Sequence, residues 1–135
     1  MTVIRDQVLA KIPGGRVQVY VVWHPVLPTD NVESLPEAMR LLAAEPRASQ
    51  YWDPSGEIGR RFARALRLPV FKTAWDVYLI YSPQTRWDSS PPVPAFWMHQ
   101  LSFAPLSEDA KRFRDSWLDG ERFREQLEKQ LAGHY

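Results

Sequence analysis

Residues Ala48 to Phe62, ASQYWDPSGEIGRRF, hold a strand, a turn and the start of a helix in immediate succession. Tyr51 and Trp52 suit a pleated, half-buried surface, so 48–52 is expected to be a strand. Asp53-Pro54 then opens a helix: the carboxylate accepts from the first-turn amides, and proline has no amide hydrogen to lose there. Ile58, Phe62, Ala65 and Leu66 recur at helical spacing and leave Glu57, Arg60, Arg61 and Arg64 on the other side. The spacing predicts a helix from Pro54 to about Leu68, ended by Pro69.

Upstream, Thr2 to Ile12 reads as a helix with Thr2 as its cap and Pro13-Gly14-Gly15 as its stop. Val17 to Trp23, VQVYVVW, is rich in β-branched and aromatic residues, the composition of a well-buried and central strand. The loop from His24 to Ser34 leads into a second helix, where Ser34 and Glu37 have capping-box spacing. Downstream, Ala74 to Tyr81 and Pro94 to Leu101 are expected strands, joined by the proline-rich segment 82–94, which is too long for a tight turn. A last helix is expected from Ser107 to Leu131, with its phase interrupted at Gly120. Phe113 and Trp117 would then dock on the domain, and Phe123 and Leu127 would remain for a partner.

The 135 residues, 44% of them hydrophobic, suffice for one domain, 1–135, in which 107–135 forms a C-terminal helical segment. Seventeen basic against sixteen acidic residues leave a net charge of +1, too little to gather nucleic acid or an anionic membrane. No apolar run is long enough to span a bilayer, and no cleavable leader is visible, so a cytoplasmic location is expected. Cysteine is absent, which excludes disulfides, thiolate nucleophiles and cysteine metal sites.

The order helix, strand, helix, strand, helix, strand, strand, helix resembles the thioredoxin-like superfamily, in its peroxiredoxin and membrane-anchored branch. The resemblance rests on the strand Gln50 to Trp52, the turn Asp53-Pro54-Ser55-Gly56 with its helix, and the apolar strand Trp75 to Tyr81. It implies an α/β fold with a mixed sheet flanked by helices. The family's redox cysteines lie at the start of a helix that follows a central strand. By this alignment the chain begins after them, as an N-terminally truncated or degenerate member. Thr73-Ala74 stands where the family carries a cis-proline. Both departures fall on the redox site, so thiol oxidoreductase activity does not carry over. A missing central strand would leave an inner sheet edge unpaired, and self-association is the expected consequence.

Candidate site residues each have a plainer reading. His24, at the end of the strongest strand, is placed to act as a general base or ligand with Asp30 or His99, or else to be a loop histidine beside a proline turn. No H-x-x-x-H or H-E-x-x-H spacing accompanies it. His99 reads as a strand residue on a polar face. Asp53 and Asp76 form a carboxylate pair only if their strand ends converge, and otherwise serve as a cap and an exposed strand position. The arginines 60, 61, 64 and 67 form a solvated helix face or a phosphate contact. Trp87, in the proline-rich excursion, is the tryptophan whose surroundings suggest binding rather than core packing.

No cofactor motif and no metal motif is present. The expected role is protein interaction or scaffolding, with Trp87, Phe123 and Leu127 on the partner surface. The alternatives are a non-thiol enzyme or small-molecule or metal binder that uses His24, and a fragment of a thiol-disulfide oxidoreductase lacking its C-x-x-C segment.

Overall fold

The computed structural model describes residues 1–68, 73–101 and 115–133. The chain opens with a helical segment in which a π-helical stretch, Ile4–Val8, tightens into a 3-10 turn, Leu9–Lys11. Thr2 is not its cap, since Arg5 N already donates to Met1 O and Thr2 lies within the first turn. Strand β1 is Val19–Trp23, helix α1 is Leu35–Met39 with a 3-10 turn Arg40–Leu42 after it, and strand β2 is Ala48–Trp52. Helix α2 is Glu57–Ala65, strands β3 and β4 are Val77–Ile80 and Phe96–His99, and helix α3 is Gly120–Ala132. The chain is therefore α/β, with helices and strands in mixed order.

The described strands form two ladders. β1 and β2 run parallel with Val19 opposite Ala48 and Trp23 opposite Trp52, and the helical crossover through α1 joins them. β3 and β4 run antiparallel with Val77 opposite His99. A single parallel bridge between His99 and Trp117 extends the second ladder by one residue. β1 pairs only with β2 among the described strands, and Tyr20 and Val22 face outward. The expected central, well-buried strand is thus half-covered.

One core joins both ladders. Ile4, Val8, Leu9 and Ile12 from the N-terminal segment meet Val21 of β1, Tyr78 and Ile80 of β3, Met98 of β4 and Phe123 of α3. Helix α3 packs on the N-terminal segment and on β4. Gly120 does not interrupt a longer run here: Asp119 accepts from Arg122 N at 2.8 Å, so α3 starts at Gly120. Phe123 is buried, and Leu127 and Leu131 lie against the core. The expectation that Phe123 and Leu127 face a partner is corrected accordingly, because the spacing from Phe123 points the apolar side of α3 inward. Trp117, expected to dock, stays about half exposed, although its neighbours Ser116 and Leu118 bond to His99. Phe113 and the expected helical run 107–114 lie outside the described residues.

Arg47 ties the first ladder to the N-terminal segment. Its guanidinium donates to Ile12 O at 2.6 Å and Leu9 O at 2.9 Å, carbonyls at the end of the helical segment, where Leu9 O also accepts from Ile12 N. Glu45 grips the same group through both carboxylate oxygens, at 2.6 Å each. Each side chain holds the other charged: hydrogen bonding to Arg47 draws the Glu45 carboxyl below its ordinary range, and Glu45 raises Arg47.

Candidate functional site

Helix α2 separates two surroundings. At its N-terminus Asp53 acts much as its position suggests: Oδ2 accepts from Ile58 N at 2.9 Å, and Oδ1 accepts from Ser55 N at 3.0 Å and Ser55 Oγ at 2.6 Å. Burial pushes the Asp53 carboxyl up, and the hydrogen bonds from Ser55 and Ile58 outweigh it and hold it below its usual value. The residue that flanks the helix is Gly56, in the left-handed region at φ +65°. In contrast, Ser34 makes no side-chain cap on α1; its hydroxyl donates to Asn31 O instead.

The inner side of α2 is a line of small residues. Gly59 and Ala63 are buried, while Ile58 and Phe62, expected to face the core, are only half-buried. The reason is close approach. A Cβ on Gly59 would lie 2.7 Å from Thr73 Cγ2, 2.9 Å from His24 Cε1 and 3.0 Å from Ala74 O. The His24 ring is wedged here with Nε2 bonded to Ala74 O at 2.9 Å. A carbonyl can only accept, so Nε2 carries the hydrogen. Nδ1 lies near Gly56, buried and without a hydrogen-bond partner.

The other sequence candidates are placed elsewhere. Asp30 turns its carboxylate to Val26 N and Leu27 N, at 2.8 and 2.7 Å, and these bonds hold it below its ordinary range with a smaller contribution from His24. It therefore closes its own loop and makes no hydrogen bond to the histidine. His99 is 1% exposed, not on a polar face; Nδ1 accepts from Leu101 N at 3.1 Å, and the ring contacts those of Trp97 and Trp117. Asp76 is exposed as expected but lies outside the strand: it precedes β3 in the left-handed region at φ 46°, and its carbonyl accepts from Gln100 N. Asp53 lies at the start of α2, and no bond joins it to Asp76. Among the described residues no group of three or more His, Asp or Glu side chains is placed to hold a metal ion. None of the described helices is long and apolar enough to cross a membrane.

On its outer side α2 meets the proline-rich excursion. Phe62 and Trp87 stack edge to face at 5.3 Å, and Arg61 donates to Ser89 O at 3.3 Å. Farther along, the Tyr81 hydroxyl donates to Pro92 O at 3.0 Å, and burial pushes that hydroxyl up to about 12. Between helix and excursion lies an open groove of about 460 Å³, lined by Arg61, Arg64, Ala65, Ser89, Ser90, Pro91 and Val93. Val93 is 81% exposed, and Trp87, on the same excursion, 45%. Sequence reading singled out Trp87 and the arginines, but not that Arg61 and Arg64 line a groove against the excursion that carries Trp87. Alternation and helical spacing report local faces, and this groove arises from apposition across the chain.

Comparison of the chain with family models, with curated proteins and with solved structures yields no match.

Proposed function

We propose that the protein is a thioredoxin-like interaction module that does no thiol chemistry and receives a partner protein in the groove between α2 and the excursion. The observation that carries this is the fixed outer wall. Trp87 and Ser89 are tied to α2, Tyr81 holds Pro92, and prolines restrict the backbone between and beyond them. A partner that enters such a groove meets a surface already ordered, which lowers the entropic cost of binding.

The thioredoxin-like part of the reading draws support from the order of elements, while the described strands form two separate ladders where the resemblance implies one mixed sheet. A parallel β1–α1–β2 unit, then α2, an antiparallel β3–β4 pair and a closing helix follow the order that the resemblance implies. In that frame β1 is the strand that follows the redox helix, and the N-terminal helical segment is the surviving end of that helix. His24 then acts as a clasp from β1 to the segment before β3. With Nε2 engaged and Nδ1 sealed, neither ring nitrogen is free to take a proton from a substrate, which weighs against the enzyme alternative.

A photo-crosslinking residue placed at Val93 should capture a discrete partner in cells that make the protein, whereas the same residue at Tyr20, on the far sheet, should not. Equal capture at both positions, or none at Val93, overturns the reading.

A second reading rests on the other exposed face. Parallel sheets are ordinarily covered on both sides, yet Tyr20 is 69% and Tyr51 53% exposed, and one edge of β1 carries no described strand. A second copy packed on this face, or adding a strand along β1, would cover the face or pair the edge. Light scattering across micromolar concentrations that returns only the monomer mass refutes it.

A further inference from the structure

From the charge and shape of this groove we infer that its occupant is an extended peptide segment carrying an acidic residue beside an aliphatic one, an inference that rests on the interaction reading above. Glu57 is the common counter-ion for three arginines: Arg60 at 3.0 Å, Arg61 at 3.0 Å and Arg64 at 3.7 Å. One carboxylate against three guanidinium groups leaves this face of α2 positively charged. The shortage falls on Arg64. It is 70% exposed, its approach to Glu57 is too long for a hydrogen bond, and it donates none within the described residues. Arg61 is aimed by Glu57 on one side and by Ser89 O on the other, and both arginines line the groove.

The remaining lining decides between anions. Ala65, Pro91 and Val93 supply apolar lining beside the two arginines, and Ser89 and Ser90 line it with them. A carboxylate accepts two donors in the plane of a guanidinium, and the aliphatic neighbour of an acidic residue has that apolar lining to cover. A nucleic-acid backbone needs a longer array of cations and aromatic platforms for its bases. The chain's net charge of +1 does not extend that array. Extended rather than helical peptide fits because the groove follows an excursion with no regular structure, between one helix and one stretch of chain.

The test is a selection of random peptides displayed on phage against the full chain, followed by fluorescence anisotropy with the enriched peptides. Enriched sequences should share an Asp or Glu next to Val, Ile or Leu. Their affinity should fall about tenfold in Arg64→Glu and stay unchanged in Lys129→Glu, on α3 and not among the residues that line the groove. Raising the salt concentration should weaken binding to the chain as made and have little effect on Arg64→Glu. Enriched peptides without an acidic residue, equal binding by Arg64→Glu, or preference for a single-stranded oligonucleotide over the peptides overturns the inference. Non-acidic peptides that lose affinity on Trp87→Ala would leave the interaction reading standing and this one refuted. Failure to enrich any peptide would count against both. Arg64 is exposed, and an unchanged circular dichroism spectrum for its variant excludes misfolding as the cause.

Discussion

The two sides of α2 differ in kind although the same nine residues make both. Inside, Gly59 and Ala63 let the helix come within contact distance of Thr73, Ala74 and the His24 ring, and a polar ring atom is sealed away without a partner. Outside, three arginines share one carboxylate, and two of them, Arg61 and Arg64, line an open groove. Small residues brought backbone close and removed water; long charged residues kept the neighbouring chain at a distance. The lesson is that a histidine at a sheet end, the more suggestive residue in the sequence, has been spent on packing, whereas the plain solvated helix face retains unsatisfied binding capacity.

The sharpest way to break this contrast is at Gly59. Gly59→Val inserts carbons where Thr73 Cγ2, His24 Cε1 and a backbone oxygen already stand, at 2.7 to 3.0 Å from the first of them. Overpacking of this kind costs about 3 kcal/mol. Urea denaturation should show stability fall by that amount, and a variant as stable as the parent would mean that the inner side is loose.

Next comes Asp53, which organises the start of α2 for both sides. Asp53→Ala removes the acceptor for Ile58 N and both Ser55 donors and should cost about 1–2 kcal/mol, as loss of a helix cap does. Its carboxyl is depressed in the folded chain, so its contribution is complete above the unfolded carboxylate pKa, about 4, and disappears as pH falls through the folded value. Glu45, drawn down by Arg47, loses its contribution in the same direction. Stability measured by urea titration at successive pH values should therefore decline more steeply in acid for the parent than for Asp53→Ala.

The fold was legible in the sequence where its signals are local. β2 runs from Ala48 to Trp52 as expected, bracketed by Pro46 and by Asp53-Pro54. α2 was legible as a helix but only partly in phase: Phe62 and Leu66 pack against the cluster around Ala63 as expected, while the fully buried line is glycine and alanine, which carry little hydrophobic signal, and Phe62 also meets Trp87. α3 was misread for a related reason. Gly120 looked like an interruption because Phe113 and Trp117 were counted on the same helix, and once the helix starts at Gly120 the side bearing Phe123 and Leu127 is an ordinary buried one. Arg47 left no trace in the sequence at all, because the carbonyls it caps, those of Leu9 and Ile12, belong to a different helix far back in the chain.

His24 gives a smaller effect than its burial suggests. His24→Leu loses the bond to Ala74 O, about 1 kcal/mol net, but it also removes a buried nitrogen that bonds to nothing. The two changes oppose each other, and thermal unfolding should shift by less than it does for Asp53→Ala. A large loss of stability would show that Nδ1 has a partner that closes the corner.

The smallest change in stability belongs to the side with the largest expected role. Arg64→Ala removes a side chain that is 70% exposed and touches Glu57 only at 3.7 Å. Exposed pairs at such distances contribute less than about 0.5 kcal/mol, and Arg60 and Arg61, each at 3.0 Å, remain to hold Glu57. Urea midpoints for Arg64→Ala and the parent should therefore coincide, while affinity for a selected acidic peptide drops. A group whose removal leaves the fold unchanged yet weakens a ligand is one that the fold itself does not use. If instead Arg64→Ala destabilises the chain as much as Asp53→Ala does, the outer side of α2 serves the fold no less than the inner side does, and the contrast between them collapses.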